Sequence, residues 1–307
     1  MLEFGEKLTL LPSGMRQADV ETLRRHGFDD RDILSITLAA AYRNFITRVA
    51  DALGVELRSA GEYAPEILRA FGVTEADLHT SIYADRLGAG TRASAPSPLR
   101  PRAAIPAERM APGICWIDTT PADAGRFGSL CDEMARPTGP RSRRNLALAF
   151  GRRPEALEGT LAFGRLLGRG GSGLGRRLEA IIGLVVAATI GVPYIGVHHA
   201  QAWLDAGASQ EEVDRAVKAP AEAGREGRER EVARFCEKVT RAPSAVSRPD
   251  AEALRAAGFD DRDVLTIAAS AAFENFLCGV AAGTGVALEE GPFDPAALRA
   301  FHVMARV

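Results

Sequence analysis

The hydrophobic positions of this chain recur with helical spacing rather than with the alternation of strands. The longest such element starts at Asp29, whose side chain can accept from free backbone N–H groups while Asp32 completes a capping box. Gly54 is well placed to end this helix. Apolar residues nearly encircle it, so we predict a central helix that its neighbours cover on most sides. These residues are Ile33, Leu34, Ile36, Leu38, Ala40, Ala41, Tyr42, Phe45, Ile46, Val49 and Leu53.

Three further stretches have helical periodicity, namely Ala122 to Met134, Pro154 to Leu167 and Arg176 to Ile190. No stretch shows the period-two alternation of a half-buried strand, so we predict an all-α fold. The uncharged run from Ala180 to Val197 is long enough to raise the question of a membrane span. Its three glycines and Pro193 favour a buried core helix instead, and we expect no membrane partner.

The chain repeats itself. Residues 4 to 57 recur without a gap at residues 235 to 288, and about half of the aligned positions are identical. A repeat of this length indicates one structural unit that is present at least twice. The stretch before the second copy, roughly residues 105 to 234, has no counterpart before the first. The chain therefore reads as a half-domain followed by a complete domain.

Proline marks the boundary between the two units. Residues 89 to 112 contain five prolines and little periodicity, which is typical of an extended connector. We assign residues 1–90 to the half-domain, 91–112 to a proline-rich linker and 113–307 to the complete domain. The half-domain alone would leave its central helix partly bare. We expect it to pack on residues 105 to 307 or on another subunit.

Composition excludes some function classes. A net charge of -2 and a pI near 6.3 give no basic footprint for nucleic acid. The N-terminal residues Met1 to Lys7 lack the basic and apolar segments of a signal peptide, so a cytoplasmic location is expected. Lysine is nearly absent while arginine, alanine and glycine abound, which fits a GC-rich bacterial genome.

Two sequence patterns resemble functional motifs but do not predict a functional site. The four cysteines, at positions 115, 131, 236 and 278, form no Cys-x-x-Cys pair, so spacing signals neither a zinc site nor a redox dithiol. We read Cys236 and Cys278 as small buried hydrophobes. The stretch from Gly168 to Gly173 fits the glycine pattern of a dinucleotide-binding turn, but no predicted strand precedes it. We interpret it as a flexible loop and expect no cofactor.

Several motifs resemble the alkylhydroperoxidase D and carboxymuconolactone decarboxylase superfamily. The repeated unit, with the Gly27 to Leu34 stretch in its first copy, is similar to the C-terminal half of peroxidase-related members. The stretches Ile114 to Asp118, Arg153 to Leu157 and Gly191 to His199 are similar to their N-terminal half. The resemblance implies a helical bundle. Because such proteins usually assemble as dimers, trimers or hexamers, it also implies a homo-oligomer.

The resemblance argues against peroxidase activity. Active members use Cys-x-x-Cys-x-x-x-His, and here Val192 and Ile195 stand at the cysteine positions while His199 is retained. Reduction of a peroxide by this route needs one thiolate to attack and a second thiol to resolve the sulfenic acid. The family's glutamate position falls on Ala180, and Glu179 is one residue earlier, rotated by about 100° around a helix.

Two hypotheses remain for the altered site. In the first, an apolar pocket uses His199 as general base or acid, with His198 or Tyr194 orienting a small organic substrate and Glu179 nearby. The expected reactions are proton transfer, decarboxylation, elimination or cyclisation, with specialised metabolism as a plausible setting. In the second, the chain is a non-catalytic scaffold or partner subunit, and the histidines are structural.

Two further alternatives have weaker support. Residual peroxidase activity through Cys131 or Cys115 would lack a resolving thiol nearby in sequence. A metal could in principle bind the two adjacent histidines together with distant carboxylates. No ligand triad has a recognisable spacing, so no metal site is predicted.

Overall fold

The computed structural model describes residues 1–55, 113–121, 123–135, 143–168 and 170–302. These residues form thirteen α-helices and contain no strand, which confirms the all-α prediction. The predicted linker and the end of the predicted half-domain lie outside the described residues. The helices are α1 (Leu2–Leu10), α2 (Gln17–Arg25), α3 (Asp30–Leu53), α4 (Ala124–Ala135), α5 (Arg144–Ala149), α6 (Pro154–Leu167), α7 (Arg176–Ile190), α8 (Pro193–Asp205), α9 (Gln210–Lys218), α10 (Arg228–Arg241), α11 (Arg248–Ala256), α12 (Asp261–Thr284) and α13 (Pro295–Ala300).

Equivalent residues make equivalent bonds in the two copies of the repeat. Lys7 pairs with Asp19 at 2.7 Å, and Lys238 pairs with Asp250 at 2.6 Å. The capping boxes at the starts of α3 and α12 are also the same. The helices α1 to α3 therefore share their ion pair and capping box with α10 to α12. The division of the chain into a half-domain and a complete domain stays a prediction.

The long helices of the two copies pack on each other. A Cβ atom placed on Gly279 of α12 would lie 3.0 Å from the Cβ of Ala41, and one on Gly283 would lie 2.6 Å from Cγ2 of Thr37. As the residue number rises along α12 it falls along α3, so the helices are antiparallel. Small residues allow this close approach. The first copy thus packs on the same chain, which is one of the two expected surfaces.

The apolar run from residue 180 to 197 is divided between two helices, and the first of them, α7, has the predicted bounds Arg176 and Ile190. Helix α7 ends at Ile190, Gly191 adopts a left-handed conformation with φ +80°, and α8 begins at Pro193. Glycine accommodates this conformation without strain, and proline fits the first turn of a helix, where its missing N–H is not needed. The prediction of burial is correct, since every residue from Ala180 to Val197 is buried. Helix α7 packs against α8, α10 and α12.

Among the described residues, α12 is the helix long and apolar enough to cross a membrane. Most of its apolar window, 78%, is buried inside the protein. A buried central helix satisfies the same length and composition criteria, so we interpret α12 as a core helix.

We predict opposite effects for one substitution at two helical glycines. Gly283→Ala places a methyl group against the fully buried Thr37 and should lower the free energy of unfolding by about 1–2 kcal/mol. Gly159→Ala, at an exposed position of α6 with open space around it, should leave stability unchanged or raise it by up to about 1 kcal/mol. Urea denaturation of both variants measures this. Equal effects would contradict the close α3–α12 contact.

Candidate active site

A cavity of about 490 Å³ lies between α6, α7, α8 and α12. Its wall is largely apolar, with polar groups contributed by several different helices. At one end, α8 provides His198 and His199 and α12 provides Glu274. Towards the other end lie Arg176, at the start of α7, and Asp205, at the end of α8. The remaining lining residues are Arg143, Leu146, Thr160, Leu161, Gly164, Leu167, Gly168, Glu179, Ala180, Ile182, Gln201, Ala202, Ala206, Ser270, Phe273, Leu277 and Phe293.

His199 lies between a cation and an anion. Its Nε2 atom is 2.9 Å from Oε2 of Glu274 and 2.5 Å from Nη2 of Arg143. Nη1 of Arg143 is 3.7 Å from the same Glu274 oxygen. The imidazole lies against Gly183 of α7, where any Cβ atom would collide with the ring. Glycine at this position therefore makes room for His199.

The two neighbours of His199 suit its two protonation states. The guanidinium of Arg143 can only donate, so it bonds the lone pair of an unprotonated Nε2. The carboxylate of Glu274 accepts from a protonated Nε2. The imidazole can therefore gain or lose a proton at Nε2 and keep a partner in either state.

His198 belongs to a second cluster, centred on Glu289. Nε2 of His198 is 2.9 Å from Oε2 of Glu289, and the hydroxyl of Tyr194 donates to Oε1 at 2.6 Å. The backbone N–H of Asn145 donates to the same Oε1 at 2.8 Å. The Tyr194 hydroxyl also accepts from the N–H of Leu146 at 3.1 Å. Glu289 thus ties α8 to the start of α5.

Burial and hydrogen bonds together set the pKa values of this second cluster. It lowers the pKa of His198, and the bond from Glu289 only partly opposes that effect. It raises the pKa of Tyr194 well above its usual value, and the nearby charge of Glu289 adds to the rise. For Glu289, burial acts to raise the pKa, but the bonds from His198, Tyr194 and Asn145 outweigh it and the pKa is lowered. At neutral pH, Glu289 is ionised, His198 is neutral and Tyr194 keeps its proton.

The Glu289 carboxylate selects one tautomer of His198. A neutral imidazole that donates from Nε2 keeps its lone pair on Nδ1. We assign this tautomer from the bonding pattern. Tyr194 is not among the lining residues, and its hydroxyl is bonded both as donor and as acceptor. It therefore supports Glu289 from behind the cavity wall.

Glu179 lines the cavity, but its carboxylate is bonded to the glycine-rich loop. It accepts from the N–H of Gly170 at 2.8 Å and from the hydroxyl of Ser172 at 2.5 Å. Helix α6, not a strand, precedes this loop, so the context of a dinucleotide-binding turn is lacking. A catalytic role for Glu179 stays a prediction.

The two positions where the resemblance predicts cysteines are buried away from the cavity. Val192 is the residue before α8 and Ile195 is in its first turn; both are buried, at 1% and 0% exposure, and neither lines the cavity. None of the four cysteines lines it either. Cys236 and Cys278 are fully buried, as expected, and burial raises the pKa of both. Burial also raises the pKa of Cys115, to about 11, and that of Cys131.

One segment of the chain matches a known protein family. Residues 154–238 match the model of the carboxymuconolactone decarboxylase family. This segment is similar to that family. The match spans less than half of the chain, from the start of α6 into α10. No curated protein and no solved structure matches the chain.

The carboxymuconolactone decarboxylase segment contains both histidines but not their carboxylate partners. Glu274, Glu289 and Arg143 lie outside it, and our sequence interpretation missed all three. Glu274 carried a signal, because it is the only charged residue between Asp263 and Glu289. A single acid in a long apolar helix calls for a buried partner. Glu289 and Arg143 each have charged neighbours in the sequence, so nothing there distinguished them as buried charges.

In the described part of the chain, no group of three or more metal-ligating side chains could hold a metal ion. The His199 and His198 clusters are instead histidine–carboxylate pairs. The hydrogen bond between His198 and Glu289 holds the His198 ring in position and controls which of its nitrogens carries the proton.

We predict that Glu289→Gln lowers the free energy of unfolding by about 1–3 kcal/mol. An amide at this position would turn a donor group towards one of the donors that the carboxylate now accepts from. The matched control is Glu290→Gln, at the exposed neighbouring position, which should change stability by less than about 0.5 kcal/mol. Chemical denaturation distinguishes the two. Equal stability of both variants would show that the Glu289 bonds contribute little.

We also predict a pH dependence from His198. Its folded-state pKa is below that of an unfolded histidine, so the unfolded chain takes up a proton first as the pH falls. The corresponding stability is present above the ordinary histidine pKa of about 6.5 and is lost as the pH falls towards the folded-state value. His198→Gln should therefore reduce the fall in Tm between about pH 7 and about pH 5. His26→Gln, at an exposed histidine, is the control and should not change that fall. An identical slope in both variants would contradict the assignment.

Proposed function

We propose that this alkylhydroperoxidase D-like protein catalyses acid–base chemistry on a small organic molecule and is not a thiol peroxidase. The reaction classes that fit are proton transfer, decarboxylation, elimination and cyclisation. The observation that carries the proposal is the position of His199 Nε2, within hydrogen-bond distance of both Glu274 and Arg143. A group that keeps a partner in both protonation states is suited to accept a proton and return it.

In this proposal, His199 is the general base and acid. It takes the proton from the substrate at Nε2, and the adjacent carboxylate of Glu274, 2.9 Å away, stabilises the positive charge of the resulting imidazolium. When Nε2 turns from Arg143 to Glu274, the guanidinium is available to a negative charge that develops on the substrate. No cofactor is needed for these steps.

His198 has a separate role. With its Nε2–H held by Glu289, its Nδ1 lone pair is available to orient a substrate donor. Tyr194 and Asn145 support Glu289 and so fix the ring from a distance. His198, which is neutral, orients the substrate. His199, which lies beside both a cation and an anion, transfers the proton.

The surroundings support this chemistry. Apolar side chains from α6, α7 and α12 lie beside the polar groups, and a substrate that covers them would strengthen its interactions with these groups by displacing water. A cavity of about 490 Å³ has the size of a site for a small molecule. The lining residues include no thiol, so peroxide reduction by a resolving cysteine pair has no support in this cavity.

A solvent-deuterium exchange assay tests the proposal. The purified chain is incubated in deuterium oxide with a panel of β-keto acids, lactones and 1,3-dicarbonyl compounds, and incorporation is followed by NMR. We expect accelerated exchange or turnover of at least one class of compound. His199→Gln should lower that rate by about 10²- to 10⁴-fold, because glutamine can bond Glu274 but cannot act as a base.

Two controls show whether a lower rate reflects the loss of a base: the Tm of His199→Gln and the rate of a variant at another histidine. His199→Gln should leave Tm nearly unchanged, and His26→Gln should leave the rate unchanged. A panel without any accelerated compound, or full turnover by His199→Gln, would favour the scaffold hypothesis. Cysteine-dependent consumption of hydroperoxide by the purified chain would overturn the proposal.

A further inference from the structure

One short segment is held in a groove where the end of α12 meets the start of α3. The backbone N–H of Trp116 donates to the carbonyl of Thr284 at 2.8 Å, and its indole ring lies on Gly285, where a Cβ atom would collide with it. Nη2 of Arg24 donates to the carbonyl of Trp116 at 2.8 Å. The N–H of Asp118 donates to Oδ2 of Asp30 at 2.7 Å. The groove therefore recognises an extended backbone and one aromatic ring.

The residues that form this groove occur twice, because the sequence repeat maps each of them onto a second position. The helices α3 and α12 pack antiparallel, so the end of α3 meets the start of α12 in the same way. The repeat thus creates a second groove on the opposite side of the helix pair. In it, Arg255, Asp261 and Leu265 replace Arg24, Asp30 and Leu34, while Leu53 and Gly54 replace Thr284 and Gly285.

The second groove has the same glycine backbone conformation and the same ion pair as the first. Gly54 has φ 63° and ψ 40°, and Gly285 has φ 64° and ψ 41°. Arg255 pairs with Asp261 at 2.7 Å, the same distance as between Arg24 and Asp30. The second groove therefore has the geometry of the first.

No described residue fills the second groove. Leu265 is 49% exposed, whereas its equivalent Leu34 is 0% exposed. The side chain of Asp261 is 83% exposed, against 20% for Asp30. A Cβ atom on Gly54 would have open space around it, in contrast to the ring that covers Gly285. Leu265 and the ion pair of Arg255 with Asp261 are therefore accessible, whereas their equivalents in the first groove are covered.

We propose that the second groove binds an extended segment of a partner protein, of the kind that Trp116 exemplifies in the first groove. Arg255 donates to a backbone carbonyl of that segment, and Asp261 accepts from an N–H two residues later. An aromatic ring between these contacts lies on Gly54 and covers Leu265. The occupied groove supplies the evidence for this chemistry, because the same residue types hold the same kind of ligand there.

Fluorescence anisotropy on the full chain tests this. The probe is a fluorescein-labelled peptide of residues 113–121 with serine in place of its cysteine. We expect saturable binding, and a peptide with alanine in place of tryptophan should bind at least about tenfold more weakly. Asp261→Ala and Leu265→Asp should each weaken binding of the original peptide about tenfold or more, through loss of a charged hydrogen bond and of apolar contact.

Two variants act as controls. Arg234→Ala removes an exposed arginine from a comparable surface ion pair on α10, and it should leave the affinity unchanged, unlike Arg255→Ala. Asp30→Ala alters the occupied groove and should not weaken peptide binding. Absence of saturable binding would overturn the proposal. Equal loss with Arg234→Ala, or loss with Asp30→Ala and none with Asp261→Ala, would also overturn it.

Discussion

Close packing on two opposite sides of α12 is the constraint on which the structure depends. One side uses Gly279 and Gly283 to approach α3, and the other presents Phe273, Glu274 and Leu277 to the cavity. Because α12 is covered by α3 on one side and by α7, α8 and α10 on the others, it has little freedom to shift. The position of Glu274, and hence its 2.9 Å contact with His199, is fixed by glycine contacts on the far side of the same helix.

The candidate site is assembled from separate parts of the chain. The segment that matches the carboxymuconolactone decarboxylase family model provides the two histidines on α8, and the C-terminal third provides a carboxylate for each of them. A histidine without such a partner would be a poorly oriented base in an apolar pocket. The acids therefore place two adjacent imidazoles in different surroundings, with His198 beside Glu289 and His199 between Glu274 and Arg143.

Sequence periodicity was sufficient for much of the fold and for part of the site. The capping boxes and the left-handed glycines set helix ends that the pattern predicts, and His198 and His199 do lie at the cavity. The bounds of α7 also agree with the predicted periodicity from Arg176 to Ile190. The carboxylate partners of the histidines were missed. Contacts between residues 75 and 91 positions apart depend on helix packing, which no local pattern contains.

The two copies of the repeat differ by a charge reversal at one decisive position. Where α12 carries Glu274, α3 carries Arg43, and two like charges would face each other if Arg43 met a cationic imidazole. Duplication of the unit has therefore not duplicated the histidine–carboxylate pair in the described residues. In the described part of the chain, the first copy therefore contributes to the candidate site only indirectly, through the packing of α3 on α12.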